Sequence, residues 1–184
     1  MVGQLAGRRI AFLVANDGVE QDELTQPWAA VESAGGIPVL VAPQRGTVRA
    51  YHGREKGAAF PVHQGTDETS VEEFVGLVLP GGVVNADLLR TKPGAVALVR
   101  AFIDAQKPVA AICHAAWTLI EAGAVKGRTI TSWPSLRTDL VNAGAEWVDE
   151  AVHVDDGGGW TLISSRNPGD LPAFCREAVR AFAA

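Results

Sequence analysis

Residues 108–123 read PVAAICHAAWTLIEAG, and they change character in the middle. Pro108–Ile112 is a short, continuously apolar run, as expected of a strand covered on both faces of a sheet, whereas His114–Ala122 has a helical pattern. Nothing separates the two except Cys113. The thiol is therefore expected on a tight strand-to-helix turn at the carboxyl edge of a sheet, where open α/β folds place their ligand sites.

Working outward, four more apolar runs read as strands: Arg8–Ala15, Ile37–Pro43, Gly76–Pro80 and Thr161–Ser165. Helical patterns lie between them. Leu24, Trp28 and Val31 share one face at i, i+4 and i+7, and that segment stops at Gly35-Gly36. If this helix starts near Glu23, Pro27 falls in its first turn, where a missing N–H costs nothing. Further helices are predicted over Gly94–Ala105, Ser135–Ala143 and Leu171–Phe182, the last turning Phe174, Val179 and Phe182 toward a core. Thr47–Gln64 reads as a small antiparallel excursion, and residues 152–165 as a hairpin turned by Asp155-Asp156-Gly157-Gly158-Gly159. Strand alternating with helix predicts an α/β fold with a mostly parallel sheet and helices on both faces.

The whole chain, 1–184, is expected to form one domain, because 184 residues leave no room for a second large one. Sixteen basic against 21 acidic residues give a net charge of −5, which argues against a nucleic-acid binder. Two cysteines, Cys113 and Cys175, are too few for a disulfide framework and suit a reducing compartment. The apolar run Ile10–Ala15 is too short and too early for a signal peptide, and no 18 apolar residues run together, so a soluble cytoplasmic protein without a membrane span is expected. There is no GxGxxG after a strand, no GxxxxGK[ST] and no HExxH. His52, His63, His114 and His153 lack ligand spacing, so neither a metal nor a cofactor is expected.

A nucleophile elbow needs small residues two before and two after the nucleophile, and Ala111 and Ala115 stand there. A following helix N-terminus would lower the Cys113 pKa and favour thiolate; the alternative is a buried structural cysteine. His114 is the natural base for a thiol, although neighbours seldom face each other on a helix, and capping or packing is its alternative role. Leu79-Pro80-Gly81-Gly82 ends a strand, so the amides of Gly82 and His114 are candidates for an oxyanion hole, unless the glycines form a plain turn. Glu20 follows the first strand and should reach the same edge. Trp117 and Trp133 line the pocket only if their loops converge. Cys175 is expected to pack beside Phe174 in the terminal helix.

Four blocks in order, FLVANDGVEQDEL (residues 12–24), LPGGVVNADLLR (79–90), AICHAAWTLIEAGAVKGRTITSWPSLRTDLVNAGAEWVDE (111–150) and SSRNPGDLPAF (164–174), resemble the PfpI family. That family belongs to the DJ/PfpI superfamily of class I glutamine amidotransferase-like proteins. The resemblance implies a flavodoxin-like three-layer sandwich with a catalytic cysteine at Cys113 and its histidine at His114. It places on Glu20 the carboxyl that hydrogen-bonds the sulfur. It also implies that an acid after the Pro-Gly-Gly turn, here Asp87, is donated by a second subunit to orient the histidine, and hence a homodimer or larger homo-oligomer. Two departures stand out: Ala115 where the family often has glycine, and Asp87 where it has glutamate. Aspartate is one methylene shorter, so the contact to histidine is expected to be longer or the loop to be altered.

The resemblance implies a stress-response enzyme whose thiolate attacks a small carbonyl compound or its peptide or protein adduct, of deglycase, glyoxalase or peptidase type. The alternative is a redox-sensing or chaperone-like protein in which Cys113 is oxidised without turnover. Glutamine amidotransferase chemistry needs a histidine and a glutamate two apart, which His153-Val154-Asp155 approximates poorly.

Overall fold

The computed structural model describes residues 3–184. In chain order its elements are β1 (Arg9–Leu13), β2 (Asp17–Glu20), α1 (Gln21–Ser33), β3 (Ile37–Ala42), β4 (Thr47–His52), β5 (Glu55–Pro61), β6 (Gln64–Gly65), β7 (Gly76–Leu79), α2 (Val83–Arg90), α3 (Pro93–Asp104), β8 (Val109–Ile112), α4 (Ala116–Glu121), β9 (Thr129–Ile130), α5 (Arg137–Asn142), β10 (Glu146–Trp147), β11 (Val152–Asp155), β12 (Leu162–Ser165) and α6 (Leu171–Ala183). Seven strands form the central sheet in the order β11-β12-β8-β7-β1-β3-β6. All pairs are parallel except β11 with β12, the expected hairpin.

Strand periodicity sorts the side chains into two layers. On β1, Ile10 and Phe12 pack with Leu24 and Val31 of α1 and with Phe174, Val179 and Phe182 of α6. Ala11 and Leu13 face the other way, onto Leu89 of α2, Phe102 of α3, Leu119 of α4 and Leu140 of α5. The three-layer sandwich follows. Cys175 packs at the edge of the α1/α6 layer, and burial pushes its thiol up to about 11.

The predicted excursion is the β4–β5 hairpin, whose strand β4 also pairs with β2. Three features differ from the sequence reading. Helix α1 begins at Gln21, so Pro27 lies in its second turn and cannot donate to the carbonyl of Glu23. Segment Val83–Arg90 is a helix, and the helix predicted from His114 begins as a 3₁₀ turn over Cys113–Ala115 before α4. Among the described residues no helix is long and apolar enough to cross a membrane.

Candidate active site

Cys113 follows β8 directly, with φ at +63°, a left-handed conformation that is costly for any residue with a Cβ. The turn is held by the Cys113 carbonyl, which accepts the Trp133 amide at 3.1 Å. The amides of Gly82 and His114, the two groups expected at the oxyanion site, stand beside the buried sulfur and pull its pKa down.

The Pro80-Gly81-Gly82 turn after β7 approaches the elbow as closely as glycine allows. A Cβ on Gly81 would lie 2.6 Å from Cys113 Cβ and 2.8 Å from the Ile112 carbonyl, and Gly82 has φ of +94°. Asn85, fully buried in α2, secures this turn. Its Oδ1 accepts the Ala15 amide at 2.7 Å and its Nδ2 donates to the Pro80 and Gly81 carbonyls, both at 3.0 Å. Asn85 thus ties the ends of β1 and β7 together; the visible signal was an amide in the otherwise apolar opening of a helix.

The carboxyl beside the sulfur belongs to Glu23 rather than Glu20. Glu23 lies against Gly81 beside Cys113: its Oε2 accepts the Gly81 amide at 2.9 Å, and its buried Oε1 has no hydrogen-bond partner among the described residues. Burial, reinforced by the charge on Glu20, raises its pKa from 4.5 to about 8. Glu20 ends β2 and points toward the β4–β5 hairpin, where Oε2 accepts the Gly53 amide at 3.0 Å. Both glutamates border the same cavity. The reason for the displacement is the helix start: Glu23 lies in the first turn of α1, on the face buried with Leu24 and Pro27.

His114 Nδ1 lies 3.1 Å from Cys113 Sγ, because the 3₁₀ turn brings neighbouring side chains to one side. Burial lowers the imidazole's pKa, so it is uncharged at neutral pH. Burial raises that of the Cys113 thiol, as does a negative Glu23, while the Gly82 and His114 amides pull it down. The expected lowering by a helix N-terminus fails because the following helix has six residues and desolvation outweighs it.

Asp87 is exposed on α2 and accepts from Arg90 Nη2 at 2.8 Å; within this chain it makes no hydrogen bond or ion pair to His114. His153 pairs with Glu150 at 2.8 Å and Asp155 with Arg128 at 3.3 Å. Asp155 lies opposite Leu162, at the sheet end remote from Cys113, so His153-Val154-Asp155 does not assemble a second catalytic pair with the thiol.

Above the sulfur opens a cavity of about 520 Å³ lined by Cys113, His114, Glu20, Glu23, Gly82, Tyr51, Arg54 and Trp133, among others. Its floor comes from the ends of β7 and β8, and its roof includes the β4–β5 turn.

An elbow thiol, a paired imidazole and a buried carboxyl at one sheet edge invite comparison with known proteins. The sequence matches the DJ-1/PfpI family over residues 8–181. The chain belongs to that family. Deglycase PH1704 of Pyrococcus horikoshii is 40% identical over 172 residues, covering 94% of this chain and 98% of that protein. Protein/nucleic acid deglycase 2 of Escherichia coli is 38% identical over 173 residues, covering 94% and 96%. Among solved structures, a two-domain protein with DJ-1/ThiJ/PfpI-like and ferritin-like domains from Anabaena variabilis superposes with a TM-score of 0.86 at 31% identity, covering 94% of this chain and 47% of that one. The flavodoxin-like sandwich is thus the fold of this DJ-1/PfpI family member.

Proposed function

We propose that this DJ-1/PfpI family protein is a cysteine-dependent hydrolase of the deglycase type, acting on small reactive carbonyls and on their adducts with amines. The observation that carries this reading is the surroundings of one sulfur: Cys113 meets the His114 imidazole, the Glu23 carboxyl and the amides of Gly82 and His114 at the base of an open cavity. The names of the relatives supply the reaction class.

In this mechanism uncharged His114 takes the thiol proton as the sulfur bonds to the carbonyl carbon, so no resting thiolate is required. The carbonyl π pair moves to oxygen, which the Gly82 and His114 amides flank. Glu23 holds a proton below about pH 8, so no second negative charge stands beside the sulfur as charge develops there. With a carbinolamine adduct, the sulfur displaces the amine, which leaves with a proton. Either route gives a hemithioacetal. A proton then shifts from the sulfur-bearing carbon to the adjacent carbonyl carbon, producing a thioester of a hydroxy acid. Water cleaves it, returning the thiol. One carbon is oxidised and its neighbour reduced, so no external redox partner is needed.

The expected homodimer belongs to the same proposal. Asp87 and the exposed Val83, Val84 and Leu88 share α2, whose first two residues reach the cavity rim, and a second copy packed there would bring a carboxylate toward His114. Turnover of methylglyoxal and of methylglyoxal-modified N-acetylarginine is expected to vanish in Cys113→Ala; full activity in that variant overturns the mechanism. Peroxide oxidation of Cys113 in a protein that consumes no carbonyl would instead support the sensing role.

A further inference from the structure

The His114 imidazole makes no hydrogen bond among the described residues except the contact of Nδ1 with sulfur. Within one chain its orientation therefore comes from packing. The imidazole lies between two indoles: Trp133 stacks on it with centroids 5.5 Å apart and planes at 24°, and Trp117 meets it edge-on at 5.3 Å and 61°. Each indole is itself anchored. The Trp133 amide donates to the Cys113 carbonyl at 3.1 Å, so the stacking face is tied to the elbow it serves. Trp117 Nε1 donates to Asp139 at 2.8 Å, and the Arg90 guanidinium lies 4.7 Å over the ring.

We propose that Trp133 and Trp117 are the positioning residues of His114, holding its ring on the sulfur and shielding it from water. This rests on the reading of Cys113 and His114 as a catalytic pair. A ring stacked on one indole and met edge-on by another keeps Nδ1 on the thiol without a carboxylate from its own chain. Shielding also disfavours the imidazolium, which keeps the base free at neutral pH. The other titratable or charged groups around the ring are Cys113 and Glu23 beside it, Asp87 and Arg90 on α2, Asp139 on α5, and Asp17, Glu20 and Arg54 around the cavity. Among the described residues the Trp133 side chain hydrogen-bonds none of them, whereas Trp117 also holds Asp139 and Arg90, so Trp133 is the cleaner probe.

The test measures iodoacetamide alkylation of Cys113 and methylglyoxal turnover as functions of pH in wild type, Trp133→Ala, Trp133→Phe and Trp117→Phe. Trp133→Ala is expected to slow both reactions by roughly tenfold or more at neutral pH. It should also move the acid limb to higher pH, because a hydrated imidazole protonates more readily. Trp133→Phe, which keeps an aromatic face, should return the limb to its wild-type position, as should Trp117→Phe in part. Trp133 is 39% exposed, so truncation spares the core; if the alanine variant nonetheless fails to fold, Trp133→Leu reads the same limb. An unmoved acid limb overturns the proposal, as does equal loss in the alanine and phenylalanine variants. So does a limb that moves in Asp87→Asn but not in Trp133→Ala. Alkylation decides the matter even if no carbonyl is turned over, which separates failure of this proposal from failure of the deglycase reading.

Discussion

Glu23 and Cys113 lie side by side against Gly81 in a pocket that shields both from water, and burial pushes the pKa of each upward. Two negative charges do not fit there. The pair reaches neutral pH with its protons on, and the base that removes one during reaction is His114.

A stability measurement exposes this arrangement. The Glu23 pKa is 4.5 when unperturbed and about 8 in the fold, so the native state holds a proton that the unfolded chain gives up. The associated stabilisation is fully present below pH 4.5 and is lost as pH rises toward 8. Glu23→Gln cannot ionise and is expected to flatten this part of the profile, with a higher denaturant midpoint than wild type above pH 8. Urea titrations at several pH values check this; parallel profiles for the two proteins contradict it.

Alkylation kinetics address the thiol. Because the Cys113 pKa is raised, its reaction with iodoacetamide is expected to climb with pH without the neutral plateau of a preformed thiolate. His114→Ala should slow alkylation at neutral pH by roughly 10²-fold or more, the scale of general-base assistance. A rate that is flat above pH 6 and indifferent to His114 refutes the assignment.

Gly81→Ala is the sharpest steric probe. The new methyl would press on Cys113 Cβ, the Ile112 carbonyl and the Glu23 carboxyl at once, and two of these obstacles belong to the elbow itself. The turn must move, at a cost of about 1–3 kcal/mol. Turnover should fall below detection while circular dichroism still reports an α/β protein. Wild-type activity would show that the turn has more freedom than the contacts allow.

Glu20→Gln distinguishes the two glutamates. Glu20 tethers Gly53 at the hairpin tip, and Gln21 and Asp22 add contacts to Ala58 and His52 at 2.7 and 4.0 Å. The amide can still accept from Gly53, so kcat should change by less than about threefold, with any effect confined to KM. Glu23→Gln should lower kcat by at least about tenfold. Equal effects in the two variants would mean that the carboxyls are interchangeable.

The strands were legible because each is a short apolar run, and the elbow was legible because Ile112 leads to His114 with only Cys113 between. Gly81 and Gly82 were visible as a turn. The choice between Glu20 and Glu23 turned on where α1 begins, since three residues along a strand-to-helix junction change the direction of a side chain completely. One sign was available: Glu23 occupies the apolar stripe that contains Leu24, Pro27 and Val31, an unusual place for a carboxylate. The thiol pKa was misjudged because helix position is visible in a sequence whereas depth of burial is not. Pairing of His114 with Trp117 and Trp133 depends on residues 3 and 19 positions away, the latter on a different loop, and no local pattern announces it.

The left-handed backbone at Cys113 has a consequence for evolution in the laboratory. Glycine adopts that conformation freely, so Cys113→Gly relieves about 1–2 kcal/mol of conformational strain while removing the sulfur. Selecting variants for thermal tolerance alone thus drives the chain toward an inert scaffold. The cysteine persists against that gradient only while its chemistry is under selection, which makes its retention in a thermostabilised library a direct report that the thiol is in use.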